Sequence, residues 1–201
     1  MEHPEENNIV RLRGTAAGRP VLSHRSRGED FFLLPLTVRR LSSTEDELPL
    51  LIRRSLLEAA APKDEDGLRV GGELRSFRRR QGEGPRLVIS VFARSLSFDG
   101  GEDENLVRLR GALCREPRLR RTPLGREICD LMLAVRRARG RTDLLPCICW
   151  GAQAREAAGW PPGAELRLEG RFQSRPYLKL TEDGLRERTA YEVSAAEIER
   201  I

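Results

Sequence analysis

Arginine is the residue type that offers this sequence most of its binding chemistry. Of 36 basic residues, all but Lys63 and Lys179 are arginine. The planar guanidinium binds phosphate through two parallel hydrogen bonds and stacks on bases, whereas the lysine ammonium is a point charge. A formal net charge of +5 allows a polyanionic partner. A GC-rich genome would also favour arginine codons, so composition leaves the partner open.

The remaining reactive residue types do not form a catalytic pattern. His3 lies near the N-terminus and His24 in a predicted hairpin tip, and neither is close in sequence to the cysteines. The sequence has no Ser/His/Asp or paired-carboxylate arrangement and no GxxxxGK[ST] phosphate loop. The acidic segments EDE (102–104) and TEDG (181–184) are typical of a linker and a turn. We therefore expect a binding protein without a cofactor rather than an enzyme.

The cysteines and the hydropathy pattern bear on the compartment. Cys147 and Cys149 alternate in an apolar run, unlike the CxxC knuckles of a metal site, so we expect no metal and four reduced thiols including Cys114 and Cys129. No apolar run approaches the roughly 20 residues that span a bilayer, and the N-terminus lacks a signal-peptide layout. The predicted location is the cytoplasm, in association with the nucleoid.

An internal repeat organises the chain. NIVRLRG (8–14) recurs as NLVRLRG (105–111), and the same offset pairs Arg39–Arg40 with Arg136–Arg137 and Asp46 with Asp143. LRVGGELRS (68–76) similarly matches LRLEGRFQS (166–174). A register kept over most of a unit indicates a tandem duplication. We predict a first unit over 1–97, an acidic linker over 98–104 and a second unit over 105–201.

Each copy predicts the same string of elements. In the second copy, strands are predicted at 105–113, ICDLMLAVRR, LLPCICW, ELRLEGRF and RTAYEVSA, with a turn-rich basic tip at REPRLRRTPLGRE and a DG turn at Asp183–Gly184. A brief helix is predicted at 152–159, and SLLEAAA (55–61) is its counterpart. Five strands with a helix between the third and fourth indicate an all-β protein with one short helix per unit, built as two tandem OB-fold, five-stranded Greek-key barrels.

The second copy also resembles a known family. NLVRLRGAL, EPRLRRTPLG, CICWGAQA and GAELRLEGRFQSRPY are similar to segments of bacterial single-stranded DNA-binding proteins. The resemblance covers about 105–194 well and 8–96 more weakly. It implies sequence-independent binding and protection of single-stranded DNA in replication, recombination or repair. Base stacking on aromatic rings and a basic groove along the phosphates fit this function.

The resemblance also implies binding residues. Trp150 and Tyr177 occupy stacking positions, although Trp150 could also be a core residue on the face of Ile148, and Trp160 is predicted to pack at a helix end. The arginine-rich phosphate track of the second unit comprises Arg108, Arg110, Arg120, Arg121, Arg136, Arg137, Arg171, Arg175 and Lys179. The divergent first unit has Arg53 in place of Trp150, and its candidates are Phe31, Phe77, Arg39, Arg40, Arg78 and the adjoining cluster to Arg80. Two further aromatic positions of the family are Arg139 and Leu144 here.

Two rival functions and two assemblies remain open at this stage. The chain could be an OB-fold primosome or assembly accessory protein that acts through protein contacts, or an RNA-binding OB protein. The resemblance implies four OB units, and an exposed first strand favours pairing, so we expect a homodimer. Pairing of the two copies inside one chain would instead give a monomer. The chain stops at SAAEIERI, so we expect tail-mediated recruitment of replication enzymes to be absent or supplied by another protein.

Overall fold

The computed structural model describes residues 7–79, 87–137, 140–181 and 184–201, and in these parts it contains twelve strands and two short helices. The first half contains β1 (Asn8–Ala16), β2 (Val21–Ser26), β3 (Glu29–Arg39), β4 (Glu45–Arg53), α1 (Arg54–Ala60), β5 (Gly67–Arg78) and β6 (Leu87–Phe98). The second half contains β7 (Glu104–Leu113), β8 (Arg118–Arg121), β9 (Glu127–Arg136), β10 (Thr142–Trp150), α2 (Gly151–Ala157), β11 (Glu165–Thr181) and β12 (Gly184–Arg200). Neither helix is long and apolar enough to cross a membrane, and the described residues contain no other helix.

Each half closes into a small barrel, as predicted. In the first, β1 pairs with both β3 and β5, β3 pairs with β4, and β6 lies between β4 and β5. The second repeats this pattern with β7, β9, β10, β12 and β11. Alternate residues face inward because successive side chains of a strand point to opposite sides. Leu34, Leu36 and Val38 of β3 and Leu131, Leu133 and Val135 of β9 are thus buried in equivalent positions.

The structure extends the predicted elements at the hairpins. β2 and β8 add a sixth strand to each unit, and β8 lies inside the predicted basic tip, where it pairs with β9. β11 and β12 are 17 residues each, because the long hairpin itself continues the ladder and satisfies its own backbone groups. Arg80, Arg139 and Asp183 lie outside the described residues.

The duplication extends to backbone detail. The side-chain amide of Asn8 donates to the Leu74 carbonyl and accepts from the Leu74 amide, both at 2.8 Å. Asn105 does the same for Phe172, at 2.7 and 2.9 Å. Both pairs adjoin a register shift in β5 or β11. At the second shift a Cβ on Gly170 would lie 2.2 Å from a backbone oxygen, so only glycine fits there.

The two barrels join edge to edge inside the chain. β1 and β7 pair antiparallel, from Asn8 opposite Leu109 to Arg13 opposite Glu104, and this pairing unites both units in one 12-stranded sheet. The exposed first strands predict a pairing partner. In this structure β1 and β7 are each other's partner. The outer edges of the sheet are β2 and β8, which are short and carry arginine. Short charged edges resist further pairing.

Candidate nucleic-acid interface

Trp150 lies at the last position of β10, where the strand leads into α2. Its side chain is 37% exposed, and its indole Nε1 donates to the Ser194 hydroxyl at 3.2 Å. Cys147 and Cys149 point into the barrel core, whereas Ile148 and Trp150 lie on the opposite face of the strand. Ile148 is buried, but Trp150 is not a core residue. This position leaves an anchored, accessible indole on the outside of the second barrel.

The other tryptophan and the cysteines are part of the interior. Trp160 is 8% exposed and packs on the core just after α2, as predicted. Cys129 and Cys149 are opposite each other on β9 and β10, and both are buried. Burial raises the pKa of Cys149 to about 12, and it also raises the pKa of Cys129. These thiols stay protonated at neutral pH and act as small core residues.

The first unit carries an aromatic cluster at the corresponding site. Phe31 stacks on His24 with ring centroids 5.0 Å apart and an interplanar angle of 9°. The ring centre of Phe92, which lies on β6, is 6.2 Å from the ring centre of Phe31 on β3. The guanidinium carbons of Arg94 and Arg53 lie 4.8 and 5.3 Å from the centre of the Phe92 ring. Phe31 is a candidate predicted from the sequence, whereas His24 and Phe92 are not.

The first unit has Arg53 and Phe92 at the positions of Trp150 and Ser194 in the second unit. Arg53 ends β4 as Trp150 ends β10, and Phe92 occupies the position of Ser194 beside it. In the second unit the aromatic ring is Trp150 on β10. In the first unit it is Phe92 on β6, the strand that pairs with β4. No motif in the repeat marks position 92, because its counterpart is a serine. Only the parallel pairing of β4 with β6 brings this ring next to Arg53.

The long hairpins bring Phe77 and Tyr177 of the two units to one groove. The groove has a volume of about 330 Å³ and opens between the barrels. Its lining includes Phe77, Tyr177, His24, Pro49, Pro146 and Tyr191. Phe77 is 54% exposed and Tyr177 is half-buried. Two candidate rings that belong to different copies of the repeat therefore share one apolar, solvent-accessible surface.

Several arginines of the predicted phosphate track form ion pairs with carboxylates of the chain itself. The pairs are Arg39–Glu45, Arg108–Glu169, Arg110–Glu165, Arg120–Asp130, Arg121–Glu127 and Arg175–Glu192. Such pairs reduce the positive charge available to a phosphate. Arg108 and Arg110 also lie on β7 at the junction between the units, whereas Trp150 ends β10.

The other predicted cations divide into two groups. Exposed side chains are those of Arg78, Arg136, Arg171 and Lys179. Partial desolvation of its guanidinium and the nearby Arg40 lower the pKa of Arg171. Arg40 and Arg137, by contrast, each hold a fully buried aspartate at the contact between the two units. The structure thus gives these two arginines an internal role, in contrast to the predicted role in phosphate binding.

Two five-stranded barrels, joined edge to edge and carrying exposed aromatic rings beside arginines, define a tandem OB-fold protein. Residues 104–201, which form the second unit, match the Single-strand binding protein family.

A curated relative and two solved structures are similar to this chain. The single-stranded DNA-binding protein of Halalkalibacterium halodurans is 35% identical over 80 residues, which cover 36% of this chain and 48% of that protein. The chain therefore spans about half the length of that relative. The wild-type single-stranded DNA binding protein of Thermus aquaticus has a TM-score of 0.77 at 24% identity, over 96% of this chain and 92% of that one. A deletion mutant of the same protein has a TM-score of 0.75 at 26% identity, over 96% and 94%. The likeness in fold includes both units.

Proposed function

We propose that this protein binds single-stranded DNA without sequence preference and protects it during replication, recombination or repair. The observation that carries the proposal is the accessible, anchored Trp150 on an OB barrel that matches the single-strand binding protein family. An indole stacks on any base because every base has a π-face, and OB folds use such rings together with a basic groove. The protein acts as a binding protein and not as an enzyme, and it functions in the cytoplasm on the nucleoid.

Stacking is shared unequally between the units in this proposal. Trp150 and Tyr177 are the main stacking residues. Phe31 already has one ring face against His24, so it offers a base less surface than Trp150 does. Phe77 faces the groove between the units and contributes where a strand passes from one barrel to the other. The exposed cations Arg78, Arg136, Arg171 and Lys179 bind phosphates along this path.

Alanine variants titrated with fluorescently labelled oligo-dT test the proposal. Tyr177→Ala should weaken binding by about 1–3 kcal/mol, and Phe31→Ala and Phe77→Ala should cost less. Phe98→Ala is the matched control, because Phe98 is 57% exposed at the end of β6 and belongs to neither site. Equal losses from all four variants, or none from Tyr177→Ala, would contradict the assignment.

Two further measurements separate the rival functions. An assembly accessory protein that acts through protein contacts would show weak affinity that does not rise with oligonucleotide length, whereas the proposed function requires a steep rise. An RNA-binding protein would prefer oligo-U over oligo-dT of the same length in direct competition. Single-stranded DNA binding requires oligo-dT to compete at least as well.

We further propose that two chains form a homodimer with four OB units. The resemblance to the family supports this assembly, but the edges of the first strands do not, because β1 and β7 pair within the chain. A dimer would therefore form through barrel surfaces and not through these strands. In this proposal the two units are the functional domains, with 98–104 as their linker.

A further inference from the structure

Two buried carboxylates connect the units, and they occupy equivalent positions of the repeat. Asp46 is the second residue of β4, and Asp143 is the second residue of β10. Both side chains have no exposed surface. A buried carboxylate is costly unless hydrogen bonds and an opposite charge compensate it. The residues that compensate each of them come from both copies.

Asp46 binds an arginine of its own unit and a serine of the other. Its carboxylate accepts hydrogen bonds from Arg40 Nε at 2.7 Å and from Arg40 Nη2 at 2.6 Å. It also accepts the Ser174 backbone amide at 2.8 Å and the Ser174 hydroxyl at 3.1 Å. Arg40 Nη2 then donates to the Ser174 carbonyl at 3.2 Å. Ser174 is thus held at its amide, hydroxyl and carbonyl by the first unit.

Asp143 repeats the arrangement in the opposite direction. It accepts Arg137 Nε at 2.6 Å and the backbone amide of Ser76 in the first unit at 2.6 Å. Arg137 Nη2 also donates to Asp143, and Arg75, which precedes Ser76, donates to it at 3.0 Å. The Ser76 hydroxyl accepts the Leu144 amide at 2.8 Å. This contact therefore contains two arginines, where the contact at Asp46 contains one.

The two serines lie at the bases of the hairpins that carry the groove aromatics. Ser76 directly precedes Phe77 on β5, and Ser174 lies three residues before Tyr177 on β11. The Ser76–Asp143 contact places β5 of the first unit beside β10 of the second, and the Ser174–Asp46 contact places β11 beside β4. The base of each hairpin therefore contacts the other unit. The buried carboxylate of that other unit holds the base of the hairpin in place.

We propose that Asp46 and Asp143 are positioning residues and that each acts on the opposite unit. Asp46 of the first unit holds the Tyr177 hairpin of the second. Asp143 of the second unit holds the Phe77 hairpin of the first. Neither carboxylate touches the groove. Each aspartate acts through the serine of the opposite copy and thereby positions the aromatic ring of that hairpin in the groove. The effect on DNA rests on the proposed function, whereas the effect on the hairpins does not.

Hydrogen exchange measured residue by residue tests the positioning directly. Asp46→Asn keeps the volume but removes the charge and one acceptor, so amide exchange over 175–180 and 185–190 should rise about 10-fold, with 77–79 and 87–89 unchanged. Asp143→Asn should give the reverse pattern. Asp30→Asn is the matched control, because Asp30 is a buried carboxylate that pairs with Arg25 and Arg54 within the first unit. A uniform rise in both hairpins, or no rise, overturns the proposal.

Milder variants keep the test usable if an asparagine variant does not fold. Ser174→Ala and Ser76→Ala remove only the hydroxyl contacts and leave both aspartates paired. Each should accelerate exchange about 2- to 10-fold in its own hairpin, because the Ser174 hydroxyl makes one hydrogen bond and the Ser76 hydroxyl makes two. The same change in both hairpins would show that the serines stabilise the whole fold and do not position one hairpin.

Binding cycles then test the link to DNA. Asp46→Asn should raise the Kd for oligo-dT about 5-fold, non-additively with Tyr177→Ala and additively with Phe77→Ala. Asp143→Asn should couple to Phe77→Ala instead. If each aspartate variant is additive with both Tyr177→Ala and Phe77→Ala, the proposed effect of the aspartates on binding is overturned. If Tyr177→Ala alone leaves the Kd unchanged, the proposed function fails at this residue, while the exchange pattern still decides whether the aspartates position the hairpins.

Discussion

Replacing Trp150 separates the role of its ring in binding from its role in stability. The ring is 37% exposed and Trp160 is 8% exposed, so only Trp150 is accessible to a base. Loss of one stacked base costs about 1–3 kcal/mol, so Trp150→Ala should raise the Kd for oligo-dT about 5- to 150-fold. The variant also loses the hydrogen bond to Ser194, which should lower the free energy of unfolding by about 0.5–1.5 kcal/mol.

Fluorescence assigns the signal to one indole. In Trp160→Phe the remaining Trp150 should be quenched on titration with oligo-dT, nearly as in the parent protein. In Trp150→Phe the remaining Trp160 should respond little, because it packs on the core. Ser194→Ala is the matched control, since it removes the same hydrogen bond and keeps the ring. It should lose stability like Trp150→Ala but retain most of the affinity.

Two results would refute this reasoning. One is quenching that follows Trp160, which would place the bound strand near the end of α2. The other is Trp150→Ala with unchanged affinity, which would make the indole a packing residue that happens to be accessible. A loss of affinity in Ser194→Ala equal to that in Trp150→Ala would show that folding of the site, and not stacking, accounts for the effect.

Four further outcomes are expected. The logarithm of the binding constant should fall with the logarithm of salt concentration by about 0.7 per phosphate neutralised, and a salt-independent interaction would contradict binding along the backbone. Light scattering at micromolar concentration should give about twice the 22.8 kDa of one chain, whereas the mass of one chain would reject the homodimer. A thiol reagent at pH 8 should label exposed Cys114 and not Cys149, whose pKa is about 12, until the protein is denatured. Burial opposes the charge of Asp143, but Arg137 and Ser76 hold its pKa below the usual value, so its stabilisation is present above about pH 4 and is lost as the pH falls through that lowered pKa. The stability difference between the parent protein and Asp143→Asn should therefore shrink in acid, and a constant difference down to pH 2 would contradict this.

Local sequence patterns predict the architecture of each unit. The alternation of Leu34, Leu36 and Val38 places one face of a strand inside, and its repetition in the second copy indicates the same barrel twice. These patterns are local, because a strand alternates regardless of which strand lies beside it. The same holds for Trp160, which a following Pro161–Pro162 pair places at a helix end. The second copy also contains motifs similar to those of bacterial single-stranded DNA-binding proteins.

Sequence patterns indicate only part of the candidate binding surface. Trp150 and Tyr177 were found because motifs surround them, and both prove accessible. Phe92 was missed because no motif marks it, and it joins the site only through the pairing of β4 with β6. Phe92 and Trp150 both lie outside the barrel cores, although they lie on neighbouring strands of the two equivalent barrels.

Tertiary structure alone decided what the arginines do. Arg40 and Arg137 repeat at the same offset as Arg39 and Arg136, and sequence cannot distinguish a paired cation from a free one. Whether an arginine meets a phosphate or a carboxylate depends on what the fold brings within about 4 Å of it. Arg40 meets Asp46 across a tight hairpin and Ser174 from the other copy. Contacts between residues so distant in the chain arise only when two barrels pair along β1 and β7, because that pairing sets the place where each long hairpin crosses the other unit.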